Sequence, residues 1–507
     1  MALLGWGTAR SQPISPVPDP NVPPVPRGEF RGVWVATVGN IDWPSRPGLS
    51  ADQQKGELLG LLDQARRLNL NAFVFQVRPA CDALYASPYE PWSEYLSGQQ
   101  GKDPGYDPLA FAVGEAHKRG LELHAWFNPY RVRPAGTKGE AAASHISRTR
   151  PDLAKPYGKQ LWLDPTEPAT QDLTVKVVLD VVKRYDIDGV HLDDYFYPYP
   201  EQDAAKKNIP FPDDPAWNRY VQGGGMLSRS DWRRAQVDIL VQRLAAGIKA
   251  VKPFVKFGIS PFGIWRPGNP AQIKGFDSYE ELYADAKKWL TEGWVDYLVP
   301  QLYWKIEQTP QSFPVLLSWW IGQNPQNRHI WAGLYTSRAQ PGTSASTPWP
   351  AEEIAYQIRI TRGMAGADGA VHFSAGMLRS PAITQTLKQG VYAQPAPLPA
   401  SPWMSKERSS SATSLSARAS ATGPLLLSWR RGKGGSAPLK WVVQTRTAGK
   451  NWAFADLRMS DATSFAVPPT ADAVAITPID RIGNPGVAAV YFPPVTSVNR
   501  PAQKAGR

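Results

Sequence analysis

Asp188-Gly-Val-His-Leu-Asp-Asp-Tyr-Phe-Tyr-Pro198 is a short apolar strand that runs out into two adjacent carboxylates and then into aromatics and proline. Side chains alternate between the two faces of a strand, so Val190 and Leu192 fall on one face and His191 and Asp193 on the other. In a parallel barrel those faces are the helix layer and the barrel interior. His191 and Asp193 then point inward, Asp193 at the C-terminal end, and Asp194 opens the loop. A carboxylate there has no ordinary packing role and lies on the face where such barrels build active sites. A structural ion pair with a base such as Arg78 is the plainer alternative. Aromatic rings stack on the C–H faces of sugars, so acids followed by aromatics point to carbohydrate chemistry.

The flanking sequence supplies the barrel. Between residues 29 and 392, short runs apolar on both faces occur at 30–38, 72–77, 121–127, 189–193, 256–260, 297–301, 330–334 and 369–373. Such runs are the mark of buried parallel strands. Amphipathic helices are expected between them at 50–68, 108–119, 170–185, 230–251, 278–292, 311–323 and 351–362. Eight strands with helical crossovers predict an α/β fold, a (β/α)8 TIM barrel. An open doubly wound sheet usually carries a glycine-rich phosphate loop after its first strand. Here that position reads Val38-Gly-Asn-Ile-Asp-Trp-Pro, with no GxGxxG.

The rest of the 507 residues divides by composition. Residues 1–28 form a proline-rich leader, with Pro13, Pro16, Pro18, Pro20, Pro23, Pro24 and Pro26 suggesting an extended spacer. Residues 393–423, rich in Pro, Ala and Ser, read as a linker, and 495–507 as a basic tail. Within 424–494, runs of period-2 character separated by turn residues predict a small all-β sandwich. It resembles a fibronectin type III module in Leu427-Ser-Trp429, Trp441-Val-Val-Gln-Thr-Arg446 and Ala475-Ile-Thr-Pro-Ile-Asp-Arg-Ile-Gly-Asn484. The resemblance implies a binding or spacing role without catalysis.

A net charge of +12 and a pI near 9.5 admit an anionic polymer as partner. The 56 basic residues are scattered, with no long Lys/Arg run and no nucleic-acid motif, so nucleic acid is not the expected partner. Cys81 is the single cysteine, which excludes an internal disulfide and a cysteine-built zinc site. No run of 18 apolar residues is long enough to span a membrane, and residues 1–12 make no clear signal peptide. Twenty Trp, 19 Tyr and 16 Phe make up 11% of the chain, an excess that fits a glycan groove, with a Trp-rich core accounting for some of them.

Candidate site residues gather at the predicted strand ends. Asp193 is the principal carboxylate, as general acid or nucleophile, and Asp194 its first-ranked partner, with Asp42 and Glu307 as other acids near strand tops. Two carboxylates are what glycoside hydrolysis usually needs, one to protonate the leaving oxygen and one to attack or activate water. Asp42, Arg78, His124, Asn128, His191, Tyr195, Gln301 and Tyr303 are expected to line or hold the substrate, with Trp34, Trp126, Trp265 and Trp304 as groove walls. His124, His191 and His372 could cluster, but no HxH or HExxH spacing supports a metal, so neither metal nor cofactor is expected.

Read together, Arg31-Gly-Val-Trp-Val-Ala-Thr-Val, Asn40-Ile-Asp-Trp-Pro-Ser, Phe75-Gln-Val-Arg-Pro-Ala, Pro104-Gly-Tyr-Asp-Pro-Leu, the run Glu115-Ala-His-Lys-Arg-Gly-Leu-Glu-Leu-His-Ala-Trp-Phe-Asn-Pro-Tyr-Arg, Leu161-Trp-Leu-Asp-Pro, Gly189-Val-His-Leu-Asp-Asp-Tyr-Phe-Tyr-Pro and Pro300-Gln-Leu-Tyr-Trp resemble the glycosyl hydrolase-like 10 family. Its members are bacterial (β/α)8 enzymes, some acting on peptidoglycan glycan strands. The resemblance implies cleavage of glycosidic bonds in a cell-envelope polysaccharide, peptidoglycan first, by a periplasmic, secreted or outer-membrane-associated protein. The frame DGxDxDxE of family 18 chitinases is only partly matched. His191 replaces one Asp, and Tyr195 stands where the catalytic Glu belongs. A tyrosine of pKa about 10 is a poor proton donor at neutral pH, so that route is not expected. The rivals are a non-catalytic glycan-binding protein and a transglycosylase on the same barrel.

Overall fold

Alternation along each strand settles which side chains enter the barrel. The computed structural model describes residues 19–340, 348–419, 423–448 and 450–494; residues 1–18 of the expected leader and the expected tail 495–507 lie outside them. Among the described residues, eight parallel strands close a barrel: β1 (Phe30–Val35), β2 (Ala72–Arg78), β3 (Glu122–Phe127), β4 (Gly189–Leu192), β5 (Lys256–Ile259), β6 (Tyr297–Leu298), β7 (His329–Leu334) and β8 (Gly369–His372), in the order β1-β8-β7-β6-β5-β4-β3-β2. Residues of one parity, such as Val33, Phe73, Leu123, Val190 and Leu192, join a large core beneath the helices. Those of the other parity, including Phe30, Trp34, Val74, Trp126, Tyr297 and Trp331, fill the barrel interior.

Local chemistry explains the helix ends. A capping box of Ser50 and Gln53 opens α1 (Ala51–Arg67). Asp107 caps α2 (Pro108–Lys118), and Pro168 starts α3 (Pro168–Arg184). Ser228 accepts from Asp231 N to open α4 (Arg229–Val251). The single helix expected at 278–292 is instead a short turn, Ser278–Glu281, and α5 (Ala286–Thr291). Tyr283 takes the left-handed conformation between them and Asp285 caps the new start, which is how a cap residue inside a helical pattern divides it. Helices α6 (Phe313–Gly322), α7 (Ala351–Gly363) and α8 (Pro381–Gln389) follow. Strand β6 stops at Leu298 rather than 301 because Pro300 has no N–H to donate to the ladder, although Gln301 still bridges Phe262 and Gly333.

The barrel interior is polar at its centre. Lys256 bonds Glu122 at 2.5 Å, and Glu122 meets His124 at 3.1 Å. His124 and His191 both reach the Tyr297 hydroxyl, at 2.8 and 3.1 Å. Gly258 makes room for that tyrosine, since a Cβ there would lie 2.1 Å from its ring. Burial opposes the Glu122 charge, but Lys256 and His124 outweigh it and hold the carboxyl below its usual value. Lys256→Met is therefore expected to strand a buried carboxylate and cost about 3–5 kcal/mol, measured by urea denaturation; an unchanged midpoint would remove the triad from the account.

The described residues separate into two compact units, one within 27–407 with 481–484, the other within 19–26, 408–480 and 485–494. Over its described residues the expected linker 393–423 is packed rather than free. Ala396, Leu398 and Ser401 are buried in the barrel unit, and Ala412–Arg418 is a strand, because apolar and Ser residues in this segment find backbone and core partners. In the second unit, β9 (Ala412–Arg418), β10 (Leu426–Arg431) and β13 (Ser464–Ala466) form one antiparallel sheet. β12 (Ala453–Met459), β11 (Lys440–Thr447), β14 (Ala471–Ile479) and β15 (Ala489–Tyr491) form another. Trp429, Trp441, Leu427 and Ile476 fill the core of this unit. Residues 19–26 pack on it: Pro20 O accepts from Arg446 and Trp452 at 2.6 and 3.0 Å, and Pro24 O from Gln444 at 3.2 Å. Proline carbonyls are free to accept where the missing N–H cannot join a ladder, so this part of the leader is not a free spacer. Among the described residues no helix is long and apolar enough to cross a membrane.

Candidate active site

The C-terminal ends of the strands meet at a cavity of about 220 Å³ lined by residues of seven of them or the loops they open. β1 leads to Trp34, Ala36 and Val38, β2 to Gln76, β3 to Trp126 and Arg131, β4 to Asp193, Asp194, Tyr195 and Tyr199, and β5 to Ser260; β6 leads to Gln301 and Tyr303, and β8 to Phe373. A roomier cavity of about 530 Å³ lies between α1 and α8, but its lining, including Arg67, Arg379 and Lys388, holds no carboxylate and cannot supply acid–base chemistry.

Asp193 is 4% exposed and held on three sides. Trp126 Nε1 donates to Oδ2 at 3.0 Å, Asn128 Nδ2 lies 3.2 Å from both oxygens, and Tyr195 N donates to Oδ1 at 3.2 Å. Burial raises its carboxyl, while the Arg131 guanidinium and these donors resist the rise. Asp194 is 3% exposed, and the Tyr199 hydroxyl donates to its Oδ2. Burial and then the neighbouring Asp193 charge push Asp194 up to about 6, against Tyr199 and Gln301, which favour the carboxylate. Two like charges in one buried cavity do not both ionise readily. Asp193, with three donors and a cation, gives up its proton first; Asp194 keeps its proton longer.

Of the residues expected at the substrate, Trp34, Trp126, Tyr195, Gln301 and Tyr303 line the cavity. Asn128 and His191 stand behind it. Asn128 orients Asp193, and His191 supports the floor by accepting from Trp34 Nε1 and meeting Ser260 Oγ, both at 3.0 Å. Burial holds His191 well below its usual value, so it is neutral.

Five expected ligands lie elsewhere. Asp42 accepts from Ala36 N, Ser374 Oγ and Gly376 N at 2.8, 2.7 and 2.9 Å, tying the ends of β1 and β8 together. Arg78 is wholly buried and pairs with Glu90 at 2.5 Å while donating to the Asn128 and Pro129 carbonyls. It braces the loop after β3 and does not touch Asp193. His124 belongs to the central triad, one layer below. Trp265 turns outward, donating to Asp285 at 3.0 Å and stacking on Trp319. Trp304 packs edge-on against Phe262. His372 bonds Thr336 and Tyr392, apart from the other two histidines. Among the described residues no His/Cys/Asp/Glu group could hold a metal.

The selection of site residues from sequence passes over Gln76, Arg131, Tyr199, Ser260 and Phe373. Gln76, Arg131 and Ser260 are legible as strand-end residues. Tyr199 is not, since it reaches Asp194 only because Tyr-Phe-Tyr-Pro-Tyr-Pro folds back over the strand end.

Comparison with known proteins shows the family. The family description Glycosyl hydrolase-like 10 matches residues 29–350. The chain belongs to the glycosyl hydrolase-like 10 family of glycosidases. Its relatives include glycosyl hydrolase YngK of Bacillus subtilis (strain 168), 43% identical over 385 residues, 74% of each chain. Another is glycosyl hydrolase DigH of Escherichia coli (strain K12), 34% identical over 384 residues, 71% of this chain and 85% of that one. Among solved structures, the catalytic domain of β-amylase from Paenibacillus polymyxa aligns with a TM-score of 0.49 at 12% identity, over 74% of this chain and 100% of that one. In this family member the paired acids and every lining residue of the cavity except Phe373 lie within the matched span.

Proposed function

We propose that this glycosidase hydrolyses glycosidic bonds in a bacterial cell-envelope polysaccharide, with peptidoglycan glycan strands as the substrate, and that it works in the cell envelope. The observation that carries the reading is the pair Asp193 and Asp194 in one aromatic-walled cavity, with environments that separate their proton affinities. Such separation is how two carboxylates take two roles. Asp194 protonates the leaving glycosidic oxygen. Asp193, ionised and held by Trp126, Asn128 and Tyr195, attacks the anomeric carbon or activates the water that does. Trp34, Trp126 and Tyr195 offer apolar faces to the sugar, and Arg131 lies 4.3 Å over the Tyr195 ring, fixing that wall.

The second carboxylate weighs against a protein that only binds glycan. The C-terminal unit, with its three-stranded and four-stranded sheets, supports the likeness to a fibronectin type III module and would hold or space the catalytic unit on the polymer.

The test is the appearance of new reducing ends when purified peptidoglycan strands and other envelope polysaccharides are each incubated with the protein. Reducing ends from peptidoglycan strands are the expected result. Their appearance only from a different polymer would overturn the substrate. Activity should fall as pH rises through about 6, because Asp194 must carry a proton to donate it. The Tyr199 hydroxyl stabilises the Asp194 carboxylate, so Tyr199→Phe should raise the Asp194 pKa further and move this limb to higher pH. A pH–rate profile of that variant shifted downward or unmoved would contradict Asp194 as the donor.

A further inference from the structure

Six buried side chains from five strands form a row of hydrogen bonds between the N-terminal end of the barrel and the catalytic cavity. Lys256 Nζ meets Glu122 Oε1 at 2.5 Å, and Glu122 Oε2 meets His124 Nε2 at 3.1 Å. His124 Nδ1 and His191 Nδ1 meet the Tyr297 hydroxyl at 2.8 and 3.1 Å, and His191 Nε2 meets Trp34 Nε1 at 3.0 Å. Trp34 is itself a wall of the cavity that holds Asp193 and Asp194. None of the six has a buried side-chain polar atom without a partner. Two glycines make the room: a Cβ on Gly189 would lie 2.5 Å from His124 Nδ1, and one on Gly258 2.1 Å from the Tyr297 ring.

Both ends of the row dictate where its protons sit. An indole nitrogen only donates, so His191 Nε2 is bare and the proton of this neutral ring is on Nδ1. His191 therefore donates to the Tyr297 oxygen, and Tyr297 donates to His124 Nδ1. At the other end the Lys256 ammonium also only donates, and Glu122 accepts from it and from His124 Nε2. With its proton on Nε2, His124 has Nδ1 free to accept, as the first end requires. One arrangement satisfies every link, and reversing a proton sets two donors or two lone pairs face to face. Barrel interiors are ordinarily filled by branched apolar side chains. A polar row with one fixed direction, ending on a wall of the cavity, does more than fill space.

We propose that Glu122, His124, Tyr297 and His191 are positioning residues, which together hold the Trp34 indole at one angle as the wall on which the sugar stacks. The inference rests on the reading of this cavity as the place of glycan cleavage. None of the four lines the cavity; they act through Trp34. His191 presents a fixed lone pair to the indole N–H, and the links behind it keep the imidazole from turning over or exchanging tautomers. Tyr297 is the link that can be cut with the packing kept, since the ring of a phenylalanine fills the same space.

The test is a double-mutant cycle between Tyr297→Phe and Trp34→Phe. Tyr297→Phe should raise KM for the cleaved glycan about 10-fold, the scale of one lost hydrogen bond, and leave kcat near that of the wild type. In Trp34→Phe no indole N–H remains to be held, so adding Tyr297→Phe should change KM by less than about 2-fold. Equal rises in KM in both backgrounds, or a fall in kcat alone as a smaller folded fraction gives, would overturn the positioning role. Selective 15N labelling of the six histidines reads the row directly. In the wild type His191 should carry its proton on Nδ1 and His124 on Nε2, and in Tyr297→Phe His191 should lose its single tautomer. His191 protonated on Nε2 in the wild type would overturn the arrangement. If the wild type cleaves no polymer, the catalytic reading falls, and the same cycle run on the Kd for peptidoglycan strands stripped of stem peptides decides the row by itself.

Discussion

Asp193→Asn is expected to lose at least about 10³-fold in kcat/KM on the cleaved glycan, the scale of losing a group that acts on the reacting centre. The amide can neither attack the anomeric carbon nor take a proton from water at neutral pH. Its NH2 also faces donors in either orientation, Trp126 Nε1 and Asn128 Nδ2 at the Oδ2 position or Tyr195 N and Asn128 Nδ2 at the Oδ1 position, so at least one donor loses its acceptor. The fold should survive. Burial already disfavours the Asp193 charge, and removing it relieves desolvation while the amide oxygen keeps at least one donor. Initial rates measured beside a circular-dichroism melt check both halves. Near-wild-type turnover in a folded variant would remove Asp193 from the mechanism.

The second large effect belongs to Asp194. Asp194→Asn should lower activity on the natural glycan by about 10²–10⁴-fold, the range for a positioned general acid. The loss should be far smaller on an aryl glycoside whose leaving group needs no proton. The variant should also lack the decline through about pH 6 that Asp194 imposes on the wild type. Rates on both kinds of substrate across pH distinguish this from a steric defect, which would depress both substrates alike and leave the limb in place.

The barrel is legible because its determinants are local. The run Gly189-Val-His-Leu is apolar on both faces, and its alternation sends His191 and Asp193 inward and Val190 and Leu192 to the helices, as the two separate cores require. The same rule places Trp126 and Asn128 beside Asp193 from the next strand. What alternation does not give is height along the barrel axis or the destination of a loop. His124 and Asp193 share the inward face, yet His124 lies a layer lower among Glu122, Lys256 and Tyr297. Arg78 stands at a strand end, but its partner Glu90 comes from the following loop, and that pairing makes it a brace. Trp265 and Trp304 sit near strand ends and turn to other partners, Asp285 with Trp319 and Phe262. Tyr199 enters the site by a fold-back that no periodicity records. The linker reading failed for a related reason. Pro, Ala and Ser composition describes a flexible chain only when nothing accepts its backbone, and here Ala396, Leu398 and Ser401 are buried.

The central claim is that Asp193 in this cavity breaks a glycosidic bond of the envelope polymer. It is tested most directly by mass spectrometry of the soluble products from purified peptidoglycan, intact and stripped of stem peptides, incubated with wild type and with Asp193→Asn. Sugar fragments released by the wild type and absent with the variant are the predicted result, and their chemical ends would name the bond cleaved. Identical fragments from both proteins, or none from either while the protein co-sediments with the polymer, would contradict it.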